Sequence, residues 1–356
     1  MKICYFGISD PNFGRNKVYI DGLRAAGHEI IECFDSTPGV HKYQILRKKH
    51  QAIVDAGGYD VMIVGYPGHL VVPFAQRISS KPVIFDALCT LYEGEVLSRG
   101  KYRLNIFMRM RVNFIDEKAV MAADHILVET EAQKAFFVKR FGLDANRLST
   151  VFTGCDEHIF NPALTARTPK RPTFTAVFRG KFLPEAGVKH IIEAARLLEH
   201  EGVSILILGH GFLENDVRAQ IEKLKLLNLE WMSDKPDLSE LARRMAECHV
   251  SLGQFEAHDR LTRTIPHKAF ESLALGLPYI TARAQGISEL LKDGSDCLMV
   301  NPGDPQDIAA KILMLKNDQR LREQIAANGL VTFANKASEK VLAREIVDII
   351  FERLPE

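Results

Sequence analysis

Two stretches of this chain combine the residue types that hold a phosphorylated ligand: Arg179-Gly180-Lys181 and, further on, Arg263-Thr-Ile-Pro-His-Lys268-Ala-Phe-Glu271-Ser272. In the first, the glycine lets backbone and both cations approach phosphate oxygens; arginine supplies a planar fork and lysine a point charge. The second reads as a short helix. Pro266 suits its first turn, Gly276 the left-handed position after its end, and Pro278 prevents continuation. Lys268, Glu271, Ser272 and Leu275 follow i, i+3, i+4, i+7 spacing and share a face, while Phe270, Leu273 and Ala274 form an apolar stripe. Free N–H groups at the helix start, with Lys268, would hold an anion such as a diphosphate. Glu271 would accept hydrogen bonds from neighbouring hydroxyls, such as those of a ribose. Taken singly, each piece has a plainer alternative: a solvated basic turn, or a surface helix with an ordinary Lys-x-x-Glu pair.

Other segments add to this set. Leu208-Gly209-His210-Gly211 closes a strand-like run, and its glycines either form a tight turn or admit a nucleotide closely. The polar loop Leu252–Arg263 carries Glu256 and Asp259 and is a substrate loop or a plain exposed one. In Ala282–Glu289, the amides around Gly286, Ile287 and Ser288, with Glu289, would stand beside the ligand. No D-x-D triplet occurs, and no His/Asp/Glu cluster has metal spacing, so no metal or other cofactor is expected. A departing diphosphate would be neutralised by Arg, Lys and helix N-termini.

These residues need elements to carry them. Short apolar runs alternate with helical patterns: Ile3–Phe6, Ile30–Phe34, Val61–Val64, Val83–Phe85, Ile126–Val128 and Thr150–Phe152, with segments such as Lys17–Ala26 between. This βαβ rhythm implies a parallel, doubly wound sheet. Asn161–Pro172, rich in Pro, Thr and cations, reads as a linker. The rhythm then restarts, with strands at Phe174–Phe178, Ser204–Leu208, Leu229–Met232, His249–Leu252, Tyr279–Thr281 and Cys297–Val300. Helices are expected at Val188–Glu199, Leu238–Glu247, Pro266–Leu275 and Pro305–Leu315. Two α/β domains follow, 1–165 and 166–337, with a terminal helix about 338–356 packing back on the first. Sites in such folds lie at strand carboxyl ends, here expected in a cleft between domains.

The 356 residues exceed one typical core, and 46% hydrophobic with 26% charged residues is ordinary for a globular protein. A net charge of +1 gives no polyelectrolyte case for nucleic acid. Six scattered cysteines without a C-x-x-C pair suit reduced thiols in a cytoplasmic protein. The chain runs from Lys2 straight into a strand-like segment, so no leader is expected, and no apolar run spans a membrane. Leu97–Phe114 carries Arg99, Lys101, Arg103, Arg109 and Arg111 among apolar residues, with no acid. It is either a surface for peripheral contact with an anionic membrane or a core-packed helix with a solvated basic face.

The ordered motifs resemble family 4 (group 1) glycosyltransferases of the GT-B fold, over nearly the whole chain. Gly180-Lys181 through Gly187-Val188 with Glu193-Ala194-Ala195, Gly209-His-Gly211, Phe270-Glu271 through Gly276-Leu-Pro278, Glu289 through Asp293-Gly294, and Pro302-Gly303-Asp304 resemble its donor domain. Ala123-Asp124 and Gly154-Cys155-Asp156, with Phe160 and Pro162, resemble its first half. The resemblance implies two Rossmann-like domains facing each other across a cleft, and a retaining, metal-independent hexosyltransferase. Such an enzyme moves a sugar from a nucleotide-diphosphate sugar to a glycan, lipid-linked or small-molecule acceptor, as in building cell-envelope polysaccharide or glycolipid. By carry-over Arg179 and Lys181 hold the diphosphate, Glu271 lies near the ribose, and Lys268 faces the nucleotide.

Four positions depart from the family pattern. Arg263 stands where a sugar-contacting glutamate is usual, giving Arg-x-x-Pro-x-Lys-x-x-Glu in place of Glu-x7-Glu; Glu256 or Asp259 are candidate substitutes. Ala186 replaces a second phosphate lysine. Asp86 stands where a histidine often follows the strand, and takes its polar role or is a strand-end turn residue. The loop Ser9–Asn16 has Gly14 alone, beside Asn16, to let backbone approach the diphosphate or acceptor. The competing readings are a sugar-nucleotide epimerase of the same fold and a catalytically silent sugar-nucleotide or glycan-binding protein. A dinucleotide oxidoreductase lacks its G-x-G-x-x-G after the first strand.

Overall fold

The computed structural model describes residues 1–8, 11–100 and 105–353. The first unit comprises 1–154 with the chain's last segment from 338, and the second comprises 155–337. In the first, the elements are β1 (Lys2–Gly7), α1 (Gly14–Ala25), β2 (Glu29–Phe34), α2 (His41–Asp55), β3 (Val61–Val64), α3 (Val72–Ile78), β4 (Val83–Leu88), α4 (Ile106–Ala122), β5 (His125–Val128), α5 (Glu131–Phe141) and β6 (Leu148–Thr150). The second runs through α6 (Pro162–Arg167), β7 (Phe174–Lys181), α7 (Val188–Leu197), β8 (Val203–His210), α8 (Glu214–Leu224), β9 (Leu229–Met232), α9 (Leu238–Ala246), β10 (Val250–Leu252), α10 (His267–Ala274), β11 (Tyr279–Ala282), α11 (Gln285–Leu290), β12 (Leu298–Val300), α12 (Pro305–Asn317) and α13 (Gln319–Lys336). Finally α14 (Glu339–Arg353) belongs to the first unit and packs on α1, so closely that a side chain at Gly22 would strike the Glu339 carbonyl.

Each unit holds one parallel six-stranded sheet. The first has strand order β2-β1-β3-β4-β5-β6; the second, β12-β11-β10-β7-β8-β9, reverses direction between β7 and β10. The central strands read as continuous apolar runs because both faces are covered: Ile3–Phe6, Val61–Val64 and Val83–Phe85 are buried without alternation. Reversal of strand order opens a crevice at the strand carboxyl ends. In the second sheet that point is bounded by Arg179-Gly180-Lys181, closing β7, and by Gly253, following β10.

The linker expected at 161–172 is instead structured. Asn161 caps α6, which packs on α9; Lys170 donates to the Ala246 and Cys248 carbonyls; and Arg171 pairs with Glu230. Cations and caps that look like linker composition are anchors, so the division between units falls at 154/155 rather than 165/166. Two strands also shift: β6 ends at Thr150 rather than starting there, and β7 extends through Lys181.

Candidate functional site

Helix α10 begins where the polar pattern places it, with a different cap. Pro266 is the N-cap, in an extended conformation, and no side chain caps the first N–H groups. Ala269 N–H donates to Pro266 O at 2.8 Å, while the N–H groups of His267 and Lys268 have no intrahelical acceptor. At the other end Gly276 adopts φ +65°, with Leu277 N–H donating to Ser272 O and Gly276 N–H to Leu273 O, both at 2.9 Å. This is the double bond pattern of a left-handed helix stop.

The face assignment needs correction. Helix α10 has no solvent face: Lys268 is 5% exposed, Glu271 1% and Ser272 0%. The Ser272 hydroxyl hydrogen-bonds Ser251 of β10 at 2.7 Å and donates to Lys268 O at 2.6 Å, so it is spent on packing against the sheet rather than on a ligand. Glu271 instead meets the end of β7. Its Oε1 pairs with Arg179 Nη2 and lies 2.9 Å from His267 Nδ1. Lys268 reaches the same place, its ammonium 4.6 Å from the Phe178 ring centroid, a cation–π contact.

Gly180 makes room for it. Its φ is +140°, and a Cβ there would stand 3.2 Å from Lys268 Cε and 3.3 Å from Nζ. The neighbouring strand is equally close: Gly209 pairs with Gly180 in the ladder, and a side chain on Gly209 would strike the Gly180 carbonyl. Both glycines expected in turns are therefore strand residues that bring two backbones and a lysine together; Gly211 follows, at φ +136°.

The charge balance at this point is positive. Arg179 has Glu271 beside it, whereas Lys268 pairs with no carboxylate among the described residues. Burial holds the Arg179 guanidinium down to about 10, and burial together with Arg179 holds the Lys268 ammonium down to about 7. Burial first, then the charges of Arg179 and Lys268, hold His267 down to about 3, so its ring is neutral. Arg179 Nε, His267 Nε2 and Glu271 Oε2 are sealed from solvent without a hydrogen-bond partner. Buried polar atoms left this way cost about 1–3 kcal/mol each. Lys181, by contrast, is exposed at the strand tip.

The remaining candidates fall differently. Arg263 binds Asp259 at 2.6 Å, and Glu256 binds Lys189 at 2.7 Å and His190 at 3.3 Å, so both substitute carboxylates are engaged by cations. Gly286 opens helix α11 and lets it close on the Thr264 backbone, where a Cβ would stand 2.9 Å from both N and O. Ile287 is buried, and the Ser288 hydroxyl donates to Ala284 O. Through Gly286 this segment packs on the loop before α10.

In the first unit Asp86 is neither a turn residue nor a free polar group. It lies within β4, 0% exposed, with both oxygens 2.9 Å from Arg15 Nε. Arg15 also donates to Val151 O and Thr153 Oγ1 and stacks over Tyr19. Burial holds the Asp86 carboxyl above its ordinary value even against the pull of Arg15. Gly14 is the first residue of α1, and Asn16, fully buried, donates to Tyr66 O at 2.7 Å. Ser9 and Asp10 of that loop lie outside the described residues. Sequence reading missed Arg15 and His267; the i, i+4 spacing of His267 to Glu271 was the available signal for the latter. Among the described residues no group of three or more His, Cys, Asp or Glu is placed to hold a metal ion.

By fold this is a GT-B-class protein, with two Rossmann-like α/β units. HepE of Anabaena, solved with UDP, superposes with a TM-score of 0.71 at 16% identity, covering 99% of this chain and 100% of that one. Sucrose-phosphate synthase of Thermosynechococcus elongatus superposes at 0.75 with 13% identity, covering 99% and 98%. Residues 165–331, nearly the whole second unit, match the family model of glycosyl transferases group 1. Lipopolysaccharide core biosynthesis glycosyltransferase LpsD of Rhizobium meliloti is 30% identical over 185 residues, 51% of this chain and 50% of LpsD. Amylovoran biosynthesis glycosyltransferase AmsK of Erwinia amylovora is 23% identical over 301 residues, 83% of this chain and 70% of AmsK. The chain spans about half the length of the first curated relatives it matches.

Proposed function

We propose that this protein is a retaining, metal-independent hexosyltransferase of family 4 type. Its donor is a nucleotide-diphosphate sugar and its acceptor a glycan, lipid-linked or small molecule. The observation that carries this reading is the partly uncompensated positive cluster of Arg179, Lys268 and the uncapped start of α10, gathered around Gly180 at the reversal point of the second sheet. Arg179 is charged near neutrality, and Lys268, held down to about 7, recovers full charge when a diphosphate arrives. The same groups stabilise it as a leaving group without a divalent ion. The printed roles of LpsD and AmsK favour a lipopolysaccharide or exopolysaccharide acceptor.

Thermal unfolding with UDP-, GDP-, ADP- and CMP-sugars is the first test, and one donor should stabilise the protein. Lys181→Ala and Glu271→Ala should each weaken that donor about tenfold or more, the range of a charge-assisted hydrogen bond. Unchanged affinity in both variants rejects the site, and loss of turnover on adding EDTA rejects metal independence.

The acceptor side of the same reading includes contact with an anionic membrane from the cytoplasmic face. The expected segment was 97–114, of which 101–104 lie outside the described residues. Helix α4 is not a core-packed helix with a purely basic solvent face. It buries Val112, Asp116, Ala119 and Val120 and turns Ile106, Phe107, Met110 and Phe114 outward, Phe107 at 80% exposure. Arg111 and Lys118 stand on that outward side, Lys118 over the Phe114 ring. Apolar side chains entering the interface, with about 1 kcal/mol per surface cation, suit an anionic bilayer. Vesicles containing a third phosphatidylglycerol should sediment the protein and pure phosphatidylcholine should not; Phe107→Ser with Phe114→Ser should abolish the difference. Equal binding to both vesicles, or binding by the double variant, rejects the contact. No helix among the described residues is long and apolar enough to cross a membrane.

A further inference from the structure

The first sheet has its own point of reversal. Its order, β2-β1-β3-β4-β5-β6, changes direction between β1 and β3, so a crevice opens where those two strands end. The loop after β1 closes with Phe13, the N-cap of α1, and the loop after β3 begins with Gly65 and Tyr66. The two aromatic rings meet there, with centroids 5.9 Å apart and planes tilted by 39°. Phe13 is 47% exposed and Tyr66 half-buried, so both offer ring surface to solvent at the place where a doubly wound sheet binds its ligand.

The backbones under both rings are fixed. Phe13 O accepts from Lys17 N–H at 3.1 Å, and buried Asn16 donates to Tyr66 O at 2.7 Å. Behind Tyr66 the His69 ring packs edge-on at 6.1 Å and donates from Nε2 to Cys89 O at 2.9 Å. Burial holds that imidazole down to about 4, so the ring is neutral. The cations beside Phe13 are engaged within the unit: Arg15 by Asp86 and Lys17 by Asp21. An anion therefore finds little here to bind. Two rings do not make a stripe like that of α4, and suit one sugar ring better than a bilayer. The C–H groups on the apolar face of a pyranose carry slight positive charge, which the negative face of an aromatic ring attracts.

We propose that Phe13 and Tyr66 form a platform on which a pyranose ring of the acceptor stacks, making the acceptor a glycan. That the stacked sugar is an acceptor rests on the glycosyltransferase reading above. The experiment is ligand-observed NMR titration of the full chain with the methyl glycosides of glucose, galactose, mannose, rhamnose and N-acetylglucosamine. The same proteins are titrated with whichever of the UDP-, GDP-, ADP- and CMP-sugars stabilises wild type most. Wild type should bind at least one glycoside, with saturation transferred to the C–H protons of one ring face. Phe13→Leu stays apolar but has no π face, and should weaken that glycoside by about threefold to tenfold, the range of an aromatic contact. Phe13→Trp should bind at least as well as wild type, and the nucleotide sugar should bind all three proteins equally. If Phe13→Leu binds the glycoside like wild type, no aromatic face is used and the proposal is overturned. If it weakens the nucleotide sugar as much as the glycoside, the rings stack a base and the proposal is again overturned. If wild type binds the nucleotide sugar but no glycoside, the platform falls alone. If it binds a glycoside through Phe13 but no nucleotide sugar, the transferase reading falls and the platform remains as a glycan-binding site.

Discussion

Arg179→Ala should abolish measurable donor binding and also destabilise the second unit by about 3–5 kcal/mol, the cost of leaving one member of a buried ion pair alone. Glu271 is 2% exposed as a side chain and has Arg179 as its cationic partner, so removing the guanidinium strands a carboxylate inside the protein. In the single variant, therefore, lost binding and lost stability arrive together and neither identifies the residue's role. The double variant Arg179→Ala with Glu271→Ala separates them. Stability should return to near wild type, because the stranded charge is gone, whereas donor binding should stay absent and turnover should remain down by about 10²–10³-fold, as when a preorganised charge stabiliser is lost. Urea unfolding followed with a donor titration reads both quantities. A single variant as stable as wild type would show that the pair is not buried in solution. A double variant that regains donor binding would show that Arg179 serves the fold alone.

Much of the fold was legible because both sheets are parallel and covered on two faces. Val61–Val64 and Leu229–Met232 have the same bounds in sequence pattern and structure, since a short apolar run between turn residues leaves little choice. The stop of α10 was equally legible: Gly276 and Pro278 dictate it locally. What failed was whatever depended on a neighbour distant in sequence. Nothing near Asn161–Pro172 announces that Lys170 will find carbonyls at 246 and 248, so anchors read as a linker. Asp86 looked available because its partner, Arg15, lies at the start of α1, 71 residues earlier.

The site shows the same split. Residue types at β7 and α10 named an anion and its cations, but helical periodicity assigned Ser272 to the ligand face when Ser251 claims it from the sheet. A polar stripe on a helical wheel does not distinguish solvent from a buried polar partner. Of that stripe, Lys268 and Glu271 point to the end of β7 only because Gly180 leaves space there.

Lys268 also makes donor affinity depend on pH, with a sign that follows from its surroundings. In the free protein its ammonium titrates near 7, because burial and Arg179 disfavour the charge. A bound diphosphate favours the charge and raises that pKa. Above pH 7 the complex thus holds one proton that the free protein lacks, so affinity should fall by up to about tenfold per pH unit and level off below 7. Lys268→Arg keeps its charge throughout and should flatten the curve above 7. Titrations between pH 6.5 and 9 on both proteins decide it; parallel curves would mean that the fall belongs to another group. The stability consequence runs the opposite way. Between about 7 and the ordinary lysine value of 10.5 the unfolded chain binds a proton that the folded one does not, so stability from this group rises with pH across that window. Lys268→Met should accordingly unfold at a higher temperature than wild type at pH 6.5, with the gain shrinking towards pH 10, while donor binding is lost. A cation kept in a place where it weakens the fold is the expected cost of a site arranged for an anion that arrives later.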